Sequence, residues 1–219
     1  MEAKLREARK NLEPVKTDKD GRDDLTTDPG RNENQGNPAV TEAPSVKSVK
    51  ASAGKKGISV KVTVQTVKGA DHYAVYRVSG TKRVLVGKTK SGRTTVTDQK
   101  VTGRKVSYYA VACAADGREI SGRGAEKAVT LEAPVKLQKP ARTEKGIRIS
   151  WKKSKKAVKY VIYRSEKKNS GYVRVAVVSK KSLSYLDKKV KKGKNCYYKV
   201  AVKTRNGVSL MSKAGRAKY

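Results

Sequence analysis

The 219-residue chain has no phenylalanine, one tryptophan, one histidine, two methionines and two cysteines. Without Phe, a core must be filled by the eleven tyrosines and by Val, Ile and Leu, types that suit a pleated surface better than a helix. A single histidine and two well-separated cysteines do not make a recognisable zinc site. Cys113 and Cys196 sit in valine-like, inward phases of candidate strands, which reads as small core residues rather than a disulfide. No run approaches the roughly 18 apolar residues of a membrane helix. The opening Met1-Glu2-Ala3-Lys4-Leu5-Arg6-Glu7 lacks the apolar stretch of a secretory signal. The chain therefore either stays inside the cell or follows an export signal encoded further upstream. Acidic residues are scarce as well: 19 Asp and Glu stand against 53 Lys and Arg, a net charge of +34.

Against these shortages stands a repetition. Ala43-Pro44 recurs as Ala133-Pro134, Gly57-Ile58-Ser59-Val60 as Gly146-Ile147-Arg148-Ile149, Tyr73 to Arg77 as Tyr160 to Arg164, and Tyr108-Tyr109 as Tyr197-Tyr198. The offsets stay between 87 and 90, so insertions are confined to turns and the pattern is a tandem duplication. Two modules follow, over residues 44–132 and 133–219, preceded by residues 1–43. Residues 2–12 could form a short helix, marginal on its own. The remainder of 1–43 holds Asp-Pro-Gly and Asn-Glu-Asn-Gln-Gly-Asn-Pro with almost nothing to bury, and reads as a disordered linker. Charge separates the three regions. The leading segment has 8 basic and 10 acidic residues, the first module 18 and 6, the second 27 and 3. Such a surface attracts polyanions, more weakly as salt rises. Lys outnumbers Arg 37 to 16, which favours diffuse attraction over shape-reading contacts.

Within each module, apolar residues alternate with polar ones at a period of two. Ile147, Ile149 and Trp151 face one way and Arg148, Ser150 and Lys152 the other. Further strands are expected at Tyr73 to Val78, Arg83 to Lys88, Thr94 to Asp98, Ser107 to Cys113 and Glu119 to Leu131, with counterparts in the second module. One face should carry Ser107, Tyr109, Val111 and Cys113, matched by Cys196, Tyr198, Val200 and Val202. Seven short strands per module with regular turns point to an all-β sandwich.

The run Ile147-x-Ile149-x-Trp151, then Ala157 to Ser165, then Tyr185-Leu186-Asp187 to Lys194, then Tyr197 to Val200, resembles bacterial fibronectin type III modules. The resemblance spans residues 44–219 and is stronger in the second module. It implies two tandem seven-stranded sandwiches of three- and four-stranded sheets, with Trp151 buried between them, in a surface or secreted protein. Val62 stands at the position of that Trp in the first module, implying a smaller core there. The family often ties a strand-F tyrosine back to the backbone. This alignment puts Ser107 and Cys196 there, so the tie should be missing and Tyr109 and Tyr198 should be core fillers.

Catalytic chemistry is poorly supplied. His72, next to Asp71, reads as an exposed strand-entry side chain, with Lys159 as its equivalent. Asp98 and Asp187 share a strand-end position that suits a turn. No carboxylate pair is spaced for glycoside hydrolysis and no phosphate-binding glycine motif occurs. Tyr73 and Tyr76, like Tyr160 and Tyr163, are three apart, so one of each pair should be core and the other exposed or half covered.

The remaining signal is lysine. Lys152, Lys153, Lys155 and Lys156 precede one strand, and Lys188, Lys189, Lys191, Lys192 and Lys194 another, a pattern that can bind polyanions. The leading reading is a non-catalytic spacer and adhesion segment of a bacterial surface or secreted protein. It needs no cofactor, metal, small-molecule substrate or membrane span, and its expected state is monomeric. Its partners would be other proteins or anionic surface polymers, with nucleic-acid contact non-specific at most. Two alternatives are a lysine-rich polyanion binder and an accessory pair belonging to a secreted hydrolase. The short link Leu131-Glu132-Ala133-Pro134 implies modules joined end to end as a semi-rigid rod.

Overall fold

A computed structural model of the protein describes residues 42–219. The helix expected over 2–12 and nearly all of the linker expected over 1–43 lie outside the described residues.

The first sandwich consists of β1 (Val46–Gly54), β2 (Gly57–Val64), β3 (His72–Ser79), β4 (Lys82–Lys88), β5 (Thr95–Asp98), β6 (Lys105–Cys113) and β7 (Lys127–Thr130). The second repeats it with β8 (Ala141–Thr143), β9 (Gly146–Ser150), β10 (Lys159–Ser165), β11 (Val173–Ser179), β12 (Ser184–Asp187), β13 (Asn195–Lys203) and β14 (Gly215–Lys218). Each pairs a three-stranded sheet, β1-β2-β5 or β8-β9-β12, with a four-stranded one, β4-β3-β6-β7 or β11-β10-β13-β14. All pairings between these strands are antiparallel. The described residues are thus all-β, two fibronectin type III-like sandwiches in tandem.

Alternation explains each buried face. In β2, Ile58, Val60, Val62 and Val64 are buried while Lys61 is exposed. The second core gathers Ile147, Ile149, Tyr160, Ile162, Tyr198, Val200 and Val202 around Trp151, whose ring lies 5.3 Å from that of Tyr160. Gly146, at φ 145°, makes the β8–β9 turn, and a Cβ there would strike the backbone carbonyl of Asp187.

The closing strands are shorter than expected. Before β7 and β14 the chain stays beside its neighbour, but side-chain hydroxyls replace part of the backbone ladder. Ser121 Oγ accepts the Ala112 N–H (2.9 Å), Ser212 Oγ that of Val200 (3.0 Å) and Ser209 Oγ that of Val202 (2.8 Å).

The facing of β6 also departs from expectation. Val106, Tyr108, Ala110 and Ala112 face the core of the first sandwich. Tyr109, Val111 and Cys113 lie on the opposite face and are still buried, with Tyr76 stacked on Tyr109 at 5.0 Å and Arg123 over the same ring at 4.4 Å. The cause is a one-residue difference in loop length. Ten residues separate Asp98 from Tyr108 and eleven separate Asp187 from Tyr198, so Tyr108 corresponds to Tyr198 and the two Tyr-Tyr pairs are out of phase. With a side-chain period of two, one residue exchanges the faces.

The sandwiches are not joined end to end. Both fall in one compact unit. Val161, Tyr163, Tyr172, Ala201 and Val208 of the second join the core cluster of the first, against which Val49, Ala51 and Ala53 also pack. Tyr163 Oη donates to Gly54 O (3.0 Å) and Arg174 N to Lys55 O (2.9 Å). The link itself is pinned, since Glu132 N donates to Val208 O and Leu210 N to Glu132 O, both 3.1 Å. Tyr163, the outward member of its pair, is therefore fully buried: apolar area on an outer sheet face finds an apolar edge to cover it.

Candidate functional site

The buried charges are built alike in both sandwiches. The Asp98 carboxylate accepts from Arg77 Nη1 (2.7 Å), Tyr108 Oη (3.0 Å) and Lys100 N (2.8 Å). The Asp187 carboxylate accepts from Arg164 Nη1 (2.8 Å), Tyr198 Oη (3.0 Å) and Lys189 N (3.0 Å). Each arginine also donates to the backbone carbonyl of Lys100 or Lys189. Burial, and then the neighbouring carboxylate, push both phenols up from their ordinary value. The tyrosine tie expected to be missing is thus present, made by Tyr108 and Tyr198 to a side-chain carboxylate instead of the backbone. A second tie repeats too, with Tyr73 Oη accepting from Val67 N (3.0 Å) and Tyr160 Oη from Ser154 N (2.9 Å). These carboxylates have their donors supplied from within the fold. They hold turns.

His72 is buried at the start of β3, not exposed, because it lies opposite Cys113 in the neighbouring strand. Its Nδ1 is 2.9 Å from Asp71 Oδ2, and Ser91 Oγ donates to Asp71 Oδ1 (2.8 Å), so both contacts hold the Asp71 carboxyl below the usual carboxylate range. Serine and imidazole each touch the carboxylate and not each other, whereas an activated hydroxyl needs the imidazole at hydrogen-bond distance. Cys113 and Cys196 are free and buried, and burial pushes both thiols up, away from nucleophilic thiolate. Among the described residues no cluster of His, Cys, Asp and Glu could hold a metal ion, and no helix is long and apolar enough to cross a membrane.

The structure divides the lysine-rich segments between two ends of the second sandwich. Lys152, Lys153, Lys155 and Lys156 occupy the loop from β9 to β10, and Lys188, Lys189, Lys191, Lys192 and Lys194 the loop from β12 to β13; all nine are exposed. The second loop precedes β13 and the first abuts its far end, where Val158 N donates to Lys203 O. The nine residues of β13 set the two groups roughly 27 Å apart. Lys156 is engaged by both carboxylate oxygens of Glu132, at 2.8 and 3.0 Å. Lys153 and Lys155 instead meet Lys180 and Lys181 around a pocket of about 330 Å³ that also touches Leu183. Sequence reading missed Lys180 and Lys181. Their doublet, in a turn after a strand, was the available signal, but only the pairing of β12 with β9 brings that turn to the first loop.

No family model matches the chain, and no curated protein matches it. Solved structures similar to part of it include the following two. One is the pectate lyase PelI from Erwinia chrysanthemi in complex with tetragalacturonic acid: 22% identity, TM-score 0.36, over 39% of this chain and 28% of that one. The other is a segment of two fibronectin type III domains from chicken tenascin: 14% identity, TM-score 0.35, over 80% of this chain and 99% of that one. The chain thus spans under a third of the pectate lyase's length. Likeness at this level extends to neither protein's ligand nor its activity.

Proposed function

We propose that the chain is a non-catalytic adhesion and spacer segment of a bacterial cell-surface or secreted protein, held on anionic polymers by the exposed lysines of its second module, residues 133–219. One observation carries the reading: Asp98 and Asp187, the buried carboxylates, are consumed in repeated turn ties, while lysines crowd the loops almost without acidic neighbours. A group already saturated by an arginine, a phenol and a backbone amide is not available to move a proton. Solvated ammonium groups remain free to meet a polyanion. The lateral packing of the sandwiches makes the spacer short and stiff, so the two ends of the second sandwich present their lysines in fixed directions.

The test is retention on an anionic resin across a salt series. Wild-type protein should elute at high salt. Lys153, Lys155, Lys180 and Lys181 changed together to Gln should lower the elution salt, and Lys188, Lys189, Lys191, Lys192 and Lys194 changed together should lower it independently. Unaltered elution of both variants defeats the reading.

A further inference from the structure

A second cationic site exists only because the sandwiches pack side by side. A groove of about 580 Å³ runs between them, and Lys50 of β1 faces Lys159, Arg174, Lys203 and Arg205 of the second sandwich across it. No acidic side chain lines it. Lys159 and Lys203 are direct partners across the β10–β13 pair, on the outer face that also carries Val161 and Ala201. Like charges directly opposite in a sheet destabilise it unless an anion lies between them. Between the cations stand uncharged donors and acceptors, Ser52, Thr130, Thr204 and Asn206, over an apolar floor that includes Val161.

We propose that this groove binds a segment of acidic polysaccharide. Spaced cations match charges that recur along a chain, the hydroxyl and amide groups match its hydroxyls, and the apolar floor receives the C–H face of a sugar ring. No aromatic side chain lines the groove, so a nucleic-acid strand would find no ring on which to stack its bases. An acidic peptide would add to the edge of β1, but both ends of that edge are capped and leave it only the short stretch between them: Lys127 Nζ donates to Lys47 O (2.8 Å) and Tyr163 Oη to Gly54 O. The site shares its ligand charge with the function proposed above, but none of the loop lysines tested there lines it, so the two are broken by different variants.

The experiment is calorimetric titration of the full chain with a uronic acid hexasaccharide. Its arms are a sulfated hexasaccharide, a neutral hexasaccharide, a hexaglutamate peptide and a single-stranded DNA hexamer. Lys159→Gln with Lys203→Gln should weaken uronate binding about tenfold or more. A control variant of equal charge, Lys82→Gln with Lys90→Gln in the first sandwich, touches neither site and should leave that binding within about twofold of wild type. The groove variant, relieved of its facing charges, should unfold at the same or a slightly higher temperature than wild type in the absence of sugar, which separates a binding defect from a folding defect. The uronate should raise the unfolding temperature of wild type and of the control variant but not of the groove variant. Binding of the sulfated chain with the same groove dependence would assign the site to acidic sugars generally, and its absence would restrict the site to carboxylates. Equal weakening by the groove and control variants, or equal binding of neutral sugar, peptide or DNA, overturns the proposal.

Discussion

The two sandwiches share strand order, turn glycines and the Tyr-Asp-Arg corner, yet they close their cores differently. The second seals around Trp151. The first carries Val62 at the equivalent position and small residues at Ala51, Ala53, Ala110 and Ala112, and its cluster continues onto Val161, Tyr163, Tyr172 and Ala201 of its neighbour. Duplicated sequences have therefore become unequal halves: less side-chain volume in one copy leaves an edge that the outer sheet face of the other covers. Close packing rewards that arrangement, because an unfilled edge loses contacts on one side.

The largest expected effect comes from breaking the self-contained core. Trp151→Ala should cost about 3–5 kcal/mol, and Val62→Ala roughly 2 kcal/mol, because less volume is removed. Denaturant unfolding followed by far-ultraviolet circular dichroism measures both; equal losses would mean the cores do not differ as described. Next come the corners, where the copies should behave alike. Asp98→Asn and Asp187→Asn each strand a partly buried arginine and should each cost about 3 kcal/mol. Unequal losses would show that one corner has slack the other lacks.

The smallest effect sharpens the interface. Tyr163→Phe removes the bond to Gly54 O and should cost about 1 kcal/mol. Burial pushes the Tyr163 phenol up to about 12, above the value near 10 of an unfolded tyrosine. The folded form thus holds its proton where the unfolded form loses it. This contribution is fully present below about pH 10 and is lost as pH rises through about 12. Unfolding free energies measured from pH 9 to 12, with phenolate absorbance recorded alongside, should fall less steeply for Tyr163→Phe than for wild type.

Strand positions were legible because alternation is a local property: Ile58, Val60 and Val62 announce a half-buried strand without reference to anything else. The burial of Trp151 was legible for the same reason. The phase of β6 was not, since Tyr108-Tyr109 looks like Tyr197-Tyr198 until the preceding loops are measured residue by residue. His72 looked exposed because polarity at a strand entry suggests it, and only the strand opposite buries it. At the candidate site, lysine runs were visible where they are contiguous. Lys180 and Lys181 joined one only through sheet pairing, and the groove cations, scattered from Lys50 to Arg205, left no trace as a group.

By itself, the order of residues determined the doubling, the antiparallel sheets and a strongly positive exterior, since each rests on spacing or on counting side chains. Only the tertiary structure decided that the halves lie side by side, that Tyr163 is interior, and that distant lysines face one another. Those outcomes depend on which apolar faces remain uncovered once each sandwich has formed, and that is a property of surfaces brought together in space.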